Sequence, residues 1–228
     1  RESDKNHPVK YKRPVASGKL KTKNAVIVSL IIIIVCLFFS FNYNHKFFYV
    51  LGIYVILQFF YSFVLKNIII LDVFSISAGF VLRAIAGAEI INVPISPWLL
   101  ICATLLALFL ALSKRRCEIS IAQDVSFLPG KIPGEYNPGL LDQMISVVTS
   151  STVIAYILYT LSPETVKKFN TKNLIFTIPF VLYGTLRYLY LVYSKGKGGS
   201  PEKVLINDKP LLLNVFLYLI VVFIVIYL

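Results

Sequence analysis

Of the 228 residues, 57% are hydrophobic and only 15% are charged, and the mean hydropathy is +0.76. That excludes an ordinary soluble domain, which needs far more polar surface. The net charge of +12 sits in short blocks between apolar runs, which argues against a basic nucleic-acid-binding face and for anionic headgroups or a phosphorylated substrate.

In chain order, the first two dozen residues are polar and contain no signal peptide. They mix Asp4 and His7 with Lys10, Arg13 and other cations, and close on Gly18. Carboxylates can hold Mg²⁺ against phosphates, and Arg and Lys bind phosphate oxygens directly. A solvated basic stretch beside the membrane is the plainer reading. Seven apolar stretches follow, near 25–42, 47–65, 67–87, 95–113, 143–162, 174–194 and 210–228. Each is long enough to cross about 30 Å as a helix. The predicted fold class is therefore all-α, a polytopic membrane helical bundle. Phe47, Phe48, Tyr49, Trp98 and Tyr227 fall near span ends, where amphipathic rings prefer to sit.

The connections alternate between two sides. Side one holds 1–24, the turn at Lys66 and the loops 114–142 and 195–209; side two holds 43–46, 88–94 and 163–173. Side two offers only Lys46, Lys167, Lys168 and Lys172, so the cation-rich side one is expected in the cytoplasm. The long loops lie there too, where function tends to sit. Cys36 and Cys102 lie inside spans and Cys117 just beyond one, with no spacing suited to zinc or a disulfide framework.

Three further groups have chemical character. Asp72 and Arg83 share the third span, eleven residues apart, which puts them on one helical face roughly 16 Å apart. Ionisable groups inside a span face a cavity or a partner, although Asp72 also fits an interfacial position and Arg83 a snorkelling one. Lys114-Arg115-Arg116-Cys117-Glu118 follows the fourth span, with Asp124, Tyr136 and Asp142 beyond it. The three cations serve either as topology determinants or as phosphate ligands, and Lys114 and Glu118 stand one turn apart, suited to pairing. Arg187-Tyr188 lies near the end of the sixth span, before Gly198, Gly199, Glu202 and Asp208. The glycines would let backbone N–H groups approach an anion, or would simply form a linker. Together these groups are the residue types of a Mg²⁺–diphosphate site at the cytoplasmic mouth of a bundle.

The opening segment Asp4-x-x-His7-Pro8-x-Lys10-x-x-Arg13-Pro14, with Gly18 closing it, resembles the stretch after the first aspartate-rich motif, N-D-x-x-D-x-x-x-D, of the UbiA prenyltransferase superfamily. Asp4 would be the last aspartate of that motif. The pattern Asp72-x6-Gly79-x3-Arg83-x3-Gly87, then Lys114-Arg115-x-x-Glu118, then Arg187-Tyr188 and Gly198-Gly199-x-Pro201-Glu202-x5-Asp208 is similar to the superfamily's polyprenyl-phosphate phosphoribosyltransferase branch. The D-x-x-x-D that quinone-type and haem-type members carry after their sixth helix is replaced by Lys114-Arg115-Arg116-Cys117-Glu118, which favours that branch.

The resemblance implies a single UbiA-like transmembrane domain over 1–228, with about seven of nine helices present. The expectation is a fragment that lacks the first two helices and most of the first motif. It implies Mg²⁺-dependent transfer of 5-phosphoribose from phosphoribosyl diphosphate to a polyprenyl phosphate in a bacterial-type plasma membrane. Asp4, as metal ligand, with Lys10 and Arg13 would form the catalytic set. Asp72, Arg83, Lys114, Arg115, Glu118, Tyr136, Arg187 and Tyr188 would contact substrate. Partners would be phosphoribosyl diphosphate, the polyprenyl phosphate lipid and the membrane, with no nucleic acid; homo-oligomerisation stays open. The rival readings are a prenyltransferase moving a prenyl group from its diphosphate to a small acceptor, and a non-catalytic transporter or lipid-binding protein.

Overall fold

The computed structural model describes residues 14–15, 17–124, 136–195, 199 and 201–227. The secondary structure among them is helical: α1 (Thr22–Tyr43), α2 (His45–Phe63), α3 (Leu71–Ile90), α4 (Pro97–Asp124), α5 (Pro138–Leu161), α6 (Pro163–Phe169), α7 (Ile178–Lys195), α8 (Pro201–Asn207) and α9 (Lys209–Tyr227), with single 3₁₀ turns at Leu65–Asn67 and Asn173–Thr177. Seven of these segments are long and apolar enough to cross a membrane, matching the seven stretches read from sequence. The fold is a polytopic membrane bundle in which each long helix packs on the next, and α9 returns against α7.

Helix boundaries follow local chemistry. Asn44 caps α2 by accepting from the N–H groups of Lys46 and Phe47, and its amide also donates to the Glu89 carbonyl at 3.2 Å, tying the α1–α2 turn to the end of α3. Asn137 and Ser162 cap α5 and α6, each followed by a proline at the first helical position. Two boundaries depart from expectation. The third helix starts at Leu71 rather than near 67, because the 3₁₀ turn and a tight bend at Ile70 take up the connection. The fourth runs on to Asp124, well past the charges at 114–116, since exposed or paired charges do not end a helix.

Packing departs from the soluble pattern. Buried positions are rich in small hydroxyls such as Ser77, Ser113, Thr149, Thr152 and Thr160, while large apolar side chains cover the outside. Small residues let helices approach without a hydrophobic force between them. The Ser77 hydroxyl donates across to the Thr104 carbonyl at 2.9 Å, joining α3 to α4. A Cβ at Gly79 would press on Gln58 Nε2 of α2 at 3.1 Å. The largest buried cluster joins Val73, Phe109, Leu112, Leu141, Tyr188 and Leu211 with their neighbours. All of these lie toward side one, beneath the charged groups.

Candidate active site at the ends of α3, α4 and α5

Asp72 lies in the first turn of α3, where the helix dipole favours a carboxylate. It is fully buried, with 0% of its side chain exposed. One oxygen accepts from Arg115 Nη2 at 2.6 Å and the other from the Tyr136 hydroxyl at 2.8 Å. The Tyr136 oxygen in turn accepts from the Ile70 backbone N–H at 2.6 Å. Arg115 extends its other Nη to Glu118, one turn further along α4, at 2.8 Å. Tyr61 of α2 lies within electrostatic range of Arg115, Asp72 and Glu118. Residues from α2, α3, α4 and the entrance to α5 thus meet around one guanidinium.

Ile70 adopts φ 71° and ψ −47°, and the Leu71 N–H closes on the Ile69 carbonyl at 2.8 Å. This is a γ-turn with a positive central φ, strained for a β-branched residue by about 1–3 kcal/mol. The bond to Tyr136 holds it. Burial, together with the bond to Asp72, pushes the Tyr136 hydroxyl up to about 12, so it stays a proton donor at physiological pH.

Two further arginines are also paired. Arg116 Nε donates to Asp142 at 2.7 Å, and the Tyr193 hydroxyl donates to the same carboxylate oxygen at 2.9 Å. Arg187 grips Asp208 through two bonds of 3.1 and 2.9 Å, while that carboxylate accepts the Leu211 N–H and so caps α9.

The structure therefore brings together Asp72, Arg115, Glu118 and Tyr136 from the sequence-read set. It keeps others apart. Lys114 is exposed, and Glu118 pairs with Arg115 rather than with Lys114 as expected, because Arg115 is the residue turned toward the buried Asp72. Arg83 is exposed, its guanidinium 4.4 Å from the Phe80 ring centroid and 5.8 Å from that of Tyr54. It shares a stripe with Asp72, but the neighbours change along that stripe from α4 to the aromatic face of α2. Arg187 belongs to the Asp208 pair. The Tyr188 ring packs edge-on against Phe109, with its hydroxyl buried and without a hydrogen-bond partner among the described residues. Asp4, Lys10 and Arg13 lie outside the described residues. Nothing in the sequence marks Tyr61, since a tyrosine near a span end reads as an interfacial anchor. Asp142 was seen only as a loop carboxylate.

Among the described residues no three His, Cys, Asp or Glu side chains converge on a metal position. Asp72 and Glu118, the carboxylates nearest the cluster, both face Arg115, whose charge opposes a dication between them. Asp4, the expected metal ligand, lies outside the described residues. An apolar groove of about 710 Å³, lined by Val35, Phe39, Leu51 and Ile90 among others, opens toward side two, away from the arginines.

Comparison with known proteins gives a consistent picture. The family model described as the UbiA prenyltransferase family matches residues 1–205. The decaprenyl-phosphate phosphoribosyltransferase of Corynebacterium glutamicum is 32% identical over 92% of this chain and 64% of its own length. The Mycolicibacterium smegmatis protein of the same name is 28% identical over 92% of this chain and 68% of its own. An uncharacterized protein of Sinorhizobium fredii is 27% identical over 91% of this chain and 41% of its own length. The chain thus spans about two thirds of the length of the phosphoribosyltransferases it matches.

Proposed function

This chain belongs to the UbiA prenyltransferase family, and we propose that it transfers 5-phosphoribose from phosphoribosyl diphosphate to a polyprenyl phosphate. The observation that carries the reading is the similarity, over 92% of this chain, to a decaprenyl-phosphate phosphoribosyltransferase, together with a guanidinium, Arg115, oriented at the side-one end of the bundle by the buried Asp72. The donor is a soluble polyanion, so it needs fixed cations at the membrane edge. Arg115, with its planar fork held by Asp72, and the exposed Lys114 supply them. The acceptor carries a long apolar tail, which the exposed apolar flanks of the helices receive.

In the transfer, the bond from ribose C1 to the diphosphate oxygen breaks, and a lipid phosphate oxygen bonds to C1. Diphosphate leaves with the electron pair. Guanidinium and ammonium groups preorganised around the leaving oxygens stabilise the charge developing there. Family members generally use a divalent metal; Mg²⁺ with Asp4 as ligand is our proposal here, and when bound it would neutralise the leaving diphosphate. The cytoplasm is the proposed location of side one, since it holds the cation clusters. A cysteine introduced at position 92 should then resist a membrane-impermeant thiol reagent in sealed inside-out vesicles and react from outside intact cells, while cysteines at 128 and 200 react only from within.

The deciding experiment reconstitutes the protein in liposomes with polyprenyl phosphate. It offers phosphoribosyl diphosphate and prenyl diphosphate in parallel, with Mg²⁺. Lipid-linked phosphopentose from the first donor is the expected product. Product only from prenyl diphosphate and a small aromatic acceptor would overturn the reading in favour of prenyl transfer.

A further inference from the structure

Four carboxylates pair with three arginines at this end of the bundle, and they are not equivalent. Asp72 is fully buried and accepts from Tyr136 as well as Arg115. Asp142 holds Arg116 and also accepts from Tyr193. Asp208 binds Arg187 through both oxygens and caps α9. Each of these three is fixed by a second, independent partner. Glu118 differs. Its hydrogen bond among the described residues is to Arg115 alone, and its side chain is 30% exposed.

Arg115 therefore has an inner edge, fixed to Asp72, and an outer edge occupied by a loosely held carboxylate. We propose that Glu118 is a built-in competitor for the anion-binding edge of Arg115, which an incoming diphosphate displaces. The inference rests on the anionic-donor reading above. The physical reason for such a placeholder is the cost of an unpaired guanidinium near the membrane interior. Glu118 keeps the outer edge of Arg115 paired while no substrate is present. When diphosphate arrives, one charge-assisted pair is exchanged for another and that edge is never left bare. The same exchange run backwards helps the product diphosphate leave. Asp72 plays the opposite part, since it aims the guanidinium at the site and does not exchange.

The two carboxylates on one arginine should thus act with opposite sign. Affinity of the reconstituted protein for inorganic diphosphate and for phosphoribosyl diphosphate is measured by calorimetry, alongside KM and kcat for the donor. Glu118→Gln is isosteric and should tighten both ligands about threefold to tenfold, lowering KM without raising kcat. Glu118→Ala should show the same sign. Asp72→Asn should weaken both ligands by about tenfold or more. Arg115→Lys placed on Glu118→Gln should abolish the gain, because an ammonium cannot hold Asp72 and a phosphate in the same fork. A Glu118→Gln protein that binds no tighter, or more weakly as a direct metal or substrate ligand would, overturns the inference while leaving the donor reading intact. Wild-type protein that binds neither ligand overturns both.

Discussion

In the α1–α2 hairpin, Thr22–Phe63, Ser40 is the one buried residue of two full spans, and rings such as Phe38 and Phe59 stand about two-thirds exposed. At the side-one ends of α3, α4 and α5, by contrast, Asp72, Ser113 and Leu141 are wholly inaccessible. The hairpin contains α1, the most apolar of the seven spans, and polar ties from it to the rest are sparse, Asn44 to the Glu89 carbonyl being the clearest. The other region is stitched by ion pairs and hydroxyls. Apolarity locates a span in lipid but does not fix its neighbour, because lipid tails are as apolar as leucine. Position within the bundle is fixed instead by the polar groups that must find each other.

That contrast can be broken by mutation. The largest effect is expected at Asp72. Asp72→Ala strips the guanidinium of Arg115 of its inner partner and should cost about 3–5 kcal/mol of stability, read from unfolding of the detergent-solubilised protein in SDS. Phe38→Ala in the hairpin should change it by less than about 0.5 kcal/mol. Equal losses at the two sites would end the distinction.

Next comes Tyr136, whose loss as Phe should cost about 1.5–3 kcal/mol, the range for a hydrogen bond to a charged group. Its pH dependence sharpens the test. The folded hydroxyl titrates near 12 against an ordinary value of 10.0, so the protonated donor is favoured by folding. The stability it contributes is complete below pH 10 and disappears as pH rises through 12. The difference in melting temperature between wild type and Tyr136→Phe should therefore shrink across that window and be constant below it.

The smallest effect is at α9, whose Asn214 amide donates to the Phe180 carbonyl at 2.9 Å and whose Tyr218 hydroxyl lies 3.2 Å from that of Tyr156. Asn214→Leu should cost about 0.6 kcal/mol, a typical intramembrane bond, in the same SDS titration. A loss as large as that at Asp72 would show that single bonds to backbone weigh as much as the buried ion pair.

The seven spans were legible because length and composition alone define them. The cluster was legible only as a set of residue types. Helical spacing allows Glu118 to pair with either Lys114 or Arg115, and burial of Asp72 on a distant segment decides between them. Spacing likewise puts Asp72 and Arg83 on one stripe, but which helix covers each end of that stripe is a tertiary fact. The end of α4 was obscured by its own charges. The short helices α6 and α8 fall in segments whose sequence reads as loop, since seven residues carry too little periodicity to stand out.

The bent backbone at Ile70 has a consequence for synthesis. Its amide is satisfied by a side chain 66 residues later in the chain. At about 5–20 residues per second, several seconds separate the emergence of the two halves from the ribosome. Over that interval the entrance to α3 lacks the group that holds it in the folded protein. The left-handed conformation at Ile70 is thus a late event, set when Tyr136 arrives, and until then the amide must be served by water or by the insertion machinery.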